Sequence, residues 1–136
     1  MTDHSSAAGR KGKLDLITLG RAGIDLYGEQ IGGRLEDMAS FAKYLGGSPA
    51  NTAVGAARLG LEAGIITRVG DDHFGRFLRE ELAREGVDTA GVITDPERVT
   101  ALAVLGIRDP DTFPLIFFRE NCADMALSPA DIDRDL

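Results

Sequence analysis

The stretch Gly46-Gly47-Ser48-Pro49-Ala50-Asn51-Thr52-Ala53, followed by Gly60 and Gly70 at the ends of the next two segments, decides how this chain folds. Two glycines ahead of Pro49 let the backbone turn sharply and approach a neighbour closely, and proline suits the first turn of a helix. Pro49 to Leu59 is rich in alanine, with apolar Val54, Ala57 and Leu59, and predicts a helix of small side chains stopped by Gly60. Such a junction is either a tight loop feeding a helix or a place where a ligand meets the free N–H groups of the first helical turn. Asn51 bears on that choice. It falls at a helix start that reads as core-facing, where an amide without partners would cost about 1–3 kcal/mol. Its side chain is expected to be tied either to the preceding loop or to a bound hydroxyl.

Working outward, Ala63 to Val69 supplies Ile65, Ile66 and Val69 as a buried strand ended by Gly70. His73 to Glu85 then places Phe74, Phe77, Leu78 and Leu82 at helical spacing, closed by Gly86. On the other side of the glycine pair, Leu14 to Leu19 predicts a first buried strand. Strand, helix, strand, helix at this spacing predicts right-handed parallel β-α-β units and an α/β layered fold. Asp25, just past the carboxyl end of the first strand, lies where open α/β sheets bind ligands, although a lone aspartate there is also an ordinary turn residue.

Two regions break the rhythm. Asp25 to Met38 mixes apolar residues with Gly28, Gly32 and Gly33 and predicts short, twisted or edge strands and turns. Val99 to Arg108 and Thr112 to Arg119 flank the turn Asp109-Pro110-Asp111 and predict a hairpin. Near the end, Ser128 and Pro129 signal a helix start, with Asp131, Asp133 and Asp135 in its solvated first turns. A helix begun at Ser128 in a chain of 136 residues leads to the expectation that the chain is the front part of a longer protein.

Composition narrows the function. Fifteen Lys and Arg against 22 Asp and Glu give a net charge of -7, which argues against a nucleic-acid or anionic-membrane partner. The apolar runs are far shorter than the ~18 residues that cross a bilayer. Residues 1–13 lack the apolar core of a secretory signal, so a flexible leader and a cytoplasmic location are expected. The single cysteine, Cys122, has no partner within the chain and reads as an ordinary buried or half-buried thiol. Asp71, Asp72 and His73 sit together at a helix start, where capping and solvated charge explain them better than a metal.

The run from Gly46 to Gly70, together with Gly70-Asp71-Asp72 and Phe74-Gly75, resembles the amino-terminal signature of the ribokinase-like carbohydrate kinases, the PfkB family, over about Leu14 to Leu136. More narrowly, Gly20 to Gly28, Ile31 to Lys43 and Phe117 to Leu127 look like the branch that phosphorylates 5-dehydro-2-deoxygluconate at its 6-hydroxyl in inositol catabolism. The last of these also resembles the related 2-keto-3-deoxygluconate kinases.

The resemblance implies a ribokinase-like three-layer parallel sheet with a small β lid, truncated at the carboxyl end. The lid would comprise segments at about 23–40 and 99–120 of a domain part at 14–136, and would form a homodimer contact. It implies that Asp25, Gly46, Gly47 and Asn51 bind substrate hydroxyls and that Arg119 faces the carboxylate of a sugar acid; otherwise Arg119 is a solvated strand-end charge. ATP and Mg2+ are implied too. The family's second signature, a glycine-rich anion hole with the aspartate that deprotonates the acceptor hydroxyl, has no match here, nor is there a G-x-x-x-x-G-K-[ST] run. The catalytic base is therefore expected beyond residue 136, and residues 1–136 alone are expected to be inactive. Two alternatives stand: a kinase of another sugar or sugar acid, such as 2-keto-3-deoxygluconate, fructose or ribose, and a non-catalytic sugar-binding or dimerisation module.

Overall fold

Residues Ala63–Gly70 form β4, the strand around which the chain is arranged in the computed structural model, which describes residues 12–136. Most of the expected leader, residues 1–11, lies outside the described residues. β4 is flanked on both sides by parallel neighbours, β1 (Leu16–Leu19) and β5 (Val92–Asp95). That position explains its largely apolar and β-branched composition, interrupted by Arg68, because a central parallel strand is covered on both faces. Ile65, Thr67 and Val69 are completely buried.

Two helices pack on this sheet. α1 (Ser48–Arg58) lies against β1 and β4 through Ala50 and Ala53, whose small side chains allow the close approach that the alanine-rich sequence anticipates. α2 (His73–Arg84) turns Leu78 and Leu82 into the same core, where they meet Ile65, Val69 and Ile24. β1 is not the buried strand its composition suggests. Ile17 and Leu19 are 41% and 56% exposed, because only one face of β1 packs on α1 and its outer edge pairs with no strand among the described residues.

The regions that broke the alternating rhythm form a second sheet of four strands in the order β3-β2-β6-β7. β2 (Gly23–Gly28) runs through its interior rather than along an edge, antiparallel to β3 (Phe41–Gly46) and parallel to β6 (Leu102–Leu105). β7 (Leu115–Phe118) completes the expected hairpin with β6, shorter than the sequence suggested and bridged near its turn at Asp109 and Thr112. The sequence reading missed β3 and β5. β3 lacks clean alternation, with Lys43 and Tyr44 adjacent, and β5 is four residues long.

The helix expected after Ser128 is a single 3-10 turn, Pro129–Asp131, preceded by another at Ala123–Ala126. Asp131 is not solvated as expected: it accepts from Arg68 Nη1 at 2.8 Å and from the Ser128 backbone at 2.9 Å. These bonds tie the end of the chain to β4 instead of leaving it to propagate a helix.

The Gly70-Asp71-Asp72 motif has a structural task. The Asp72 carboxylate caps α2 at the Gly75 N–H (2.7 Å) and also accepts from the backbone N–H and hydroxyl of Thr100 at 2.9 and 2.8 Å. One side chain thus fastens the start of α2 to the entrance of β6. Another carboxylate, the buried Asp95, accepts from the Glu97 and Arg98 amides and from the guanidinium groups of Arg68 and Arg98.

Candidate functional site

The pairing of β2 with β3 places Asp25 opposite Tyr44 and Gly23 opposite Gly46, so the aspartate and the glycine pair reach the same end of the second sheet. Gly46 is glycine because Asp25 fills its side-chain space: a Cβ there would lie 2.3 Å from the Asp25 carboxylate. Gly47 has φ 98° and stands where a Cβ would come within 2.4 Å of the Arg21 carbonyl, so it has both conformational and steric reasons to be glycine. From Gly47 the chain enters α1, and Thr18 Oγ1 donates to the Pro49 carbonyl at 2.9 Å, pinning the first turn to the end of β1.

These contacts bring Asp25 and Asn51 to one cavity of about 580 Å³, lined also by Tyr27, Tyr44 and Ile107. The Asp25 carboxylate is half-buried and accepts no hydrogen bond from any described residue. Burial pushes its pKa above the ordinary carboxylate value, opposed by the nearby positive charge of Arg21. Asn51 is exposed rather than core-facing: the core-facing positions of the first turns are Ala50 and Ala53, while Asn51 lines the cavity and its side-chain amide has no hydrogen-bond partner among the described residues. A half-buried acceptor and an amide with both donor and acceptor, facing one apolar-walled space, suit a ligand rich in hydroxyl groups.

Of the expected site residues, the fold gathers Asp25, Gly46, Gly47 and Asn51. Arg119, one residue past β7, lines a different cavity of about 660 Å³ with Asp72, Phe74, Thr100, Phe118 and Cys122. Its Nε donates to Asp124 Oδ2 at 2.7 Å and Nη2 lies 2.6 Å from the same oxygen. The Asp124 side chain is almost completely buried, and its other oxygen has no partner. Cys122 beside it is buried, with burial pushing its thiol pKa up. His73 is exposed at the start of α2, whose cap is Asp72.

Sequence reasoning missed Tyr27, Tyr44 and Arg21 around Asp25. Tyr44 could be found only through the register of a strand that the pattern does not reveal. Arg21 lies in the loop after β1, where a lone arginine carries no spacing signal.

Residues 13–136 match the model of the pfkB family carbohydrate kinases. The chain belongs to that family. Among curated relatives, this pfkB chain is 47% identical to 5-dehydro-2-deoxygluconokinase of Geobacillus kaustophilus, over 90% of its own length and 37% of the relative's. It is 43% identical to the enzyme of the same name from Listeria monocytogenes, over 90% and 38% of the two chains. Among solved structures it resembles a PfkB protein from a Polaromonas species, with TM-score 0.83 and 36% identity over 89% of this chain and 40% of that one. An uncharacterised sugar kinase of Pyrococcus horikoshii gives TM-score 0.81 and 34% identity, over 88% and 40%. The chain thus spans somewhat more than a third of the length of the curated relatives it matches. Its α/β fold is the ribokinase-like fold of these kinases.

Proposed function

We propose that this chain is the acceptor-binding part of an ATP-dependent kinase that phosphorylates 5-dehydro-2-deoxygluconate at its 6-hydroxyl. The observation that carries this reading is the half-buried Asp25 carboxylate, which accepts no hydrogen bond from any described residue and is given its space by the missing side chain of Gly46. A carboxylate so placed accepts hydrogen bonds from sugar hydroxyls, Asn51 both donates and accepts, and the backbone at Gly46 and Gly47 allows the ring or chain to come close. The names of the curated relatives support the sugar acid as substrate. The second sheet, built from the segments at 23–40 and 99–120 together with β3, would close over that substrate as a lid.

ATP supplies the phosphoryl group, and a solved relative from Pyrococcus horikoshii is a complex with ATP. The chain covers 37% of a curated relative and has no match to the family's glycine-rich second signature, and on this reading the contacts to Mg2+, most nucleotide contacts and the catalytic base lie outside it. What these residues do is bind and orient the acceptor, which in phosphoryl transfer is a large share of catalysis. All four residues of β7 are exposed along a sheet edge, which supports a homodimer formed through the lid. No described helix is long and apolar enough to cross a membrane.

The pairing of Arg119 with Asp124 favours a second reading, a kinase of a neutral sugar such as fructose, because it leaves less of that guanidinium for a carboxylate. The test is ADP release by a complete kinase that carries this sequence. Turnover is expected with 5-dehydro-2-deoxygluconate in preference to fructose or ribose, and Arg119→Gln should raise KM for the acid alone. Preference for the neutral sugar would overturn the sugar-acid assignment, whereas turnover by residues 1–136 alone would overturn the placement of the base.

A further inference from the structure

Eight of the eleven arginines among the described residues have a carboxylate or carbonyl partner: Arg34, Arg58, Arg68, Arg76, Arg79, Arg84, Arg98 and Arg119 are all engaged. Of the other three, Arg108 and Arg134 are exposed to water. Arg21 is half-buried, yet makes no hydrogen bond or ion pair to any described residue through its guanidinium. That group lies over the ring of Phe117, 5.4 Å from its centroid, and its charge reaches Asp25 strongly enough to oppose the effect of burial there.

The sheet register locates the arginine. Asp25, Ala103 and Phe117 stand in one row across β2, β6 and β7, so their side chains share a face of the second sheet. Neighbouring strands lie about 4.8 Å apart, which puts Phe117 about 10 Å from Asp25 along that row. Between them is Ala103, whose small side chain leaves the face low. Arg21 thus reaches over the same face from the carboxyl end of β1; it does not itself line the Asp25 cavity, and Phe117 lines the second one, but its charge acts on Asp25. Its backbone is fixed there by the abutment of its carbonyl on Gly47 and by the Ala22 N–H, which donates to Thr67 Oγ1 at 3.2 Å. An unpaired guanidinium withdrawn from water is costly unless an anion completes it, and the planar fork of arginine fits a carboxylate with two parallel hydrogen bonds.

We propose that Arg21 is a specificity-determining residue of this site, binding the carboxylate of an acidic sugar whose hydroxyls are held by Asp25 and Asn51. This rests on the reading of the Asp25 cavity as the acceptor site. Arg119, already neutralised by Asp124, then plays the smaller part in recognising the charge.

The experiment titrates the 136-residue chain with 5-dehydro-2-deoxygluconate and with fructose, a neutral ketohexose, following side-chain and backbone resonances by NMR. Arg21→Gln is expected to weaken the acid about 10- to 100-fold, the loss of one charge-assisted pair, and to leave fructose unchanged. Arg21→Lys, which keeps the charge but loses the fork, should fall between. Without any ligand, Arg21→Gln should also raise the pH midpoint of the Asp25 carboxyl resonance, a readout that a merely structural arginine would not move. Asn51→Ala should weaken both sugars alike. If the ratio of acid to fructose affinity is unchanged in Arg21→Gln and Arg21→Lys while Asn51→Ala weakens both sugars, the role of Arg21 is overturned and the acceptor site stands. If neither sugar responds to Asn51→Ala or to Arg21→Gln, the acceptor site and the inference fall together.

Discussion

Replacing Asp72 with alanine should loosen the joint between α2 and the second sheet, and the size of the effect follows from the bonds lost. The carboxylate caps α2 at Gly75, and loss of an N-cap costs about 1 kcal/mol. The same change leaves the backbone N–H of Thr100, a residue only 4% exposed, without an acceptor, at about 1–3 kcal/mol. Together these give about 2–4 kcal/mol, large against the 5–15 kcal/mol that holds a typical domain together. Asp72→Asn keeps an acceptor for the cap at Gly75 but sets an NH2 group against the Thr100 N–H, and should cost about 1–3 kcal/mol.

Acid provides an independent check. Burial alone would raise the Asp72 pKa, but the donors at Thr100 and Gly75 outweigh it and hold the pKa below the ordinary carboxylate value. A depressed folded-state pKa means the contribution is complete above the unfolded value near 3.8 and is lost as the pH falls through the folded value. Urea unfolding followed by far-UV circular dichroism measures both effects. A loss under 0.5 kcal/mol in Asp72→Ala at neutral pH, or an unchanged acid limb in Asp72→Asn, would refute the joint.

Gly46→Ala should abolish sugar binding while leaving a folded chain, because its Cβ would displace the Asp25 carboxylate from 2.3 Å away; calorimetric binding that matches the unsubstituted protein would contradict this. Asp95 should shape the acid limb of stability as well. Amides of Glu97 and Arg98 and the guanidinium groups of Arg68 and Arg98 hold its pKa down to about 2, so its contribution is complete above about 3.8 and fades as the pH falls toward 2, and Asp95→Asn should flatten that limb in acid titrations. Ile116→Lys, on the exposed edge strand β7, should shift self-association toward monomer in sedimentation experiments without lowering the thermal midpoint, since Ile116 is 46% exposed.

Much of the α/β frame was legible because its signals are local. The alanine-rich run after the glycine pair, the β-branched run of β4 and the helical spacing of Phe74, Leu78 and Leu82 each carry their own periodicity. β3 and β5 were not legible, because their strand character comes from partners distant in sequence: Phe41–Gly46 is a strand by virtue of β2, and Val92–Asp95 by virtue of β4. The exposure of Ile17 and Leu19 was hidden for the same reason, since a strand's composition does not say how many of its faces are covered. At the site, Asp25 and Asn51 were singled out by position and residue type, and the fold brings both to one cavity. The reason Gly46 must be glycine appears only when β2 and β3 are paired, and the isolation of Arg21 only when the surroundings of the other described arginines are known.

The central claim is that a sugar binds where Asp25, Asn51 and the Gly46-Gly47 turn meet, and nitrogen–proton correlation spectra of the chain titrated with 5-dehydro-2-deoxygluconate test it most directly. Shifts should concentrate at the backbone amides of Asp25, Tyr44, Gly46, Gly47 and Asn51 and should vanish in Gly46→Ala. Shifts confined to Thr100, Leu102 and Phe118 around the second cavity, with the Asp25 cluster silent, would contradict it.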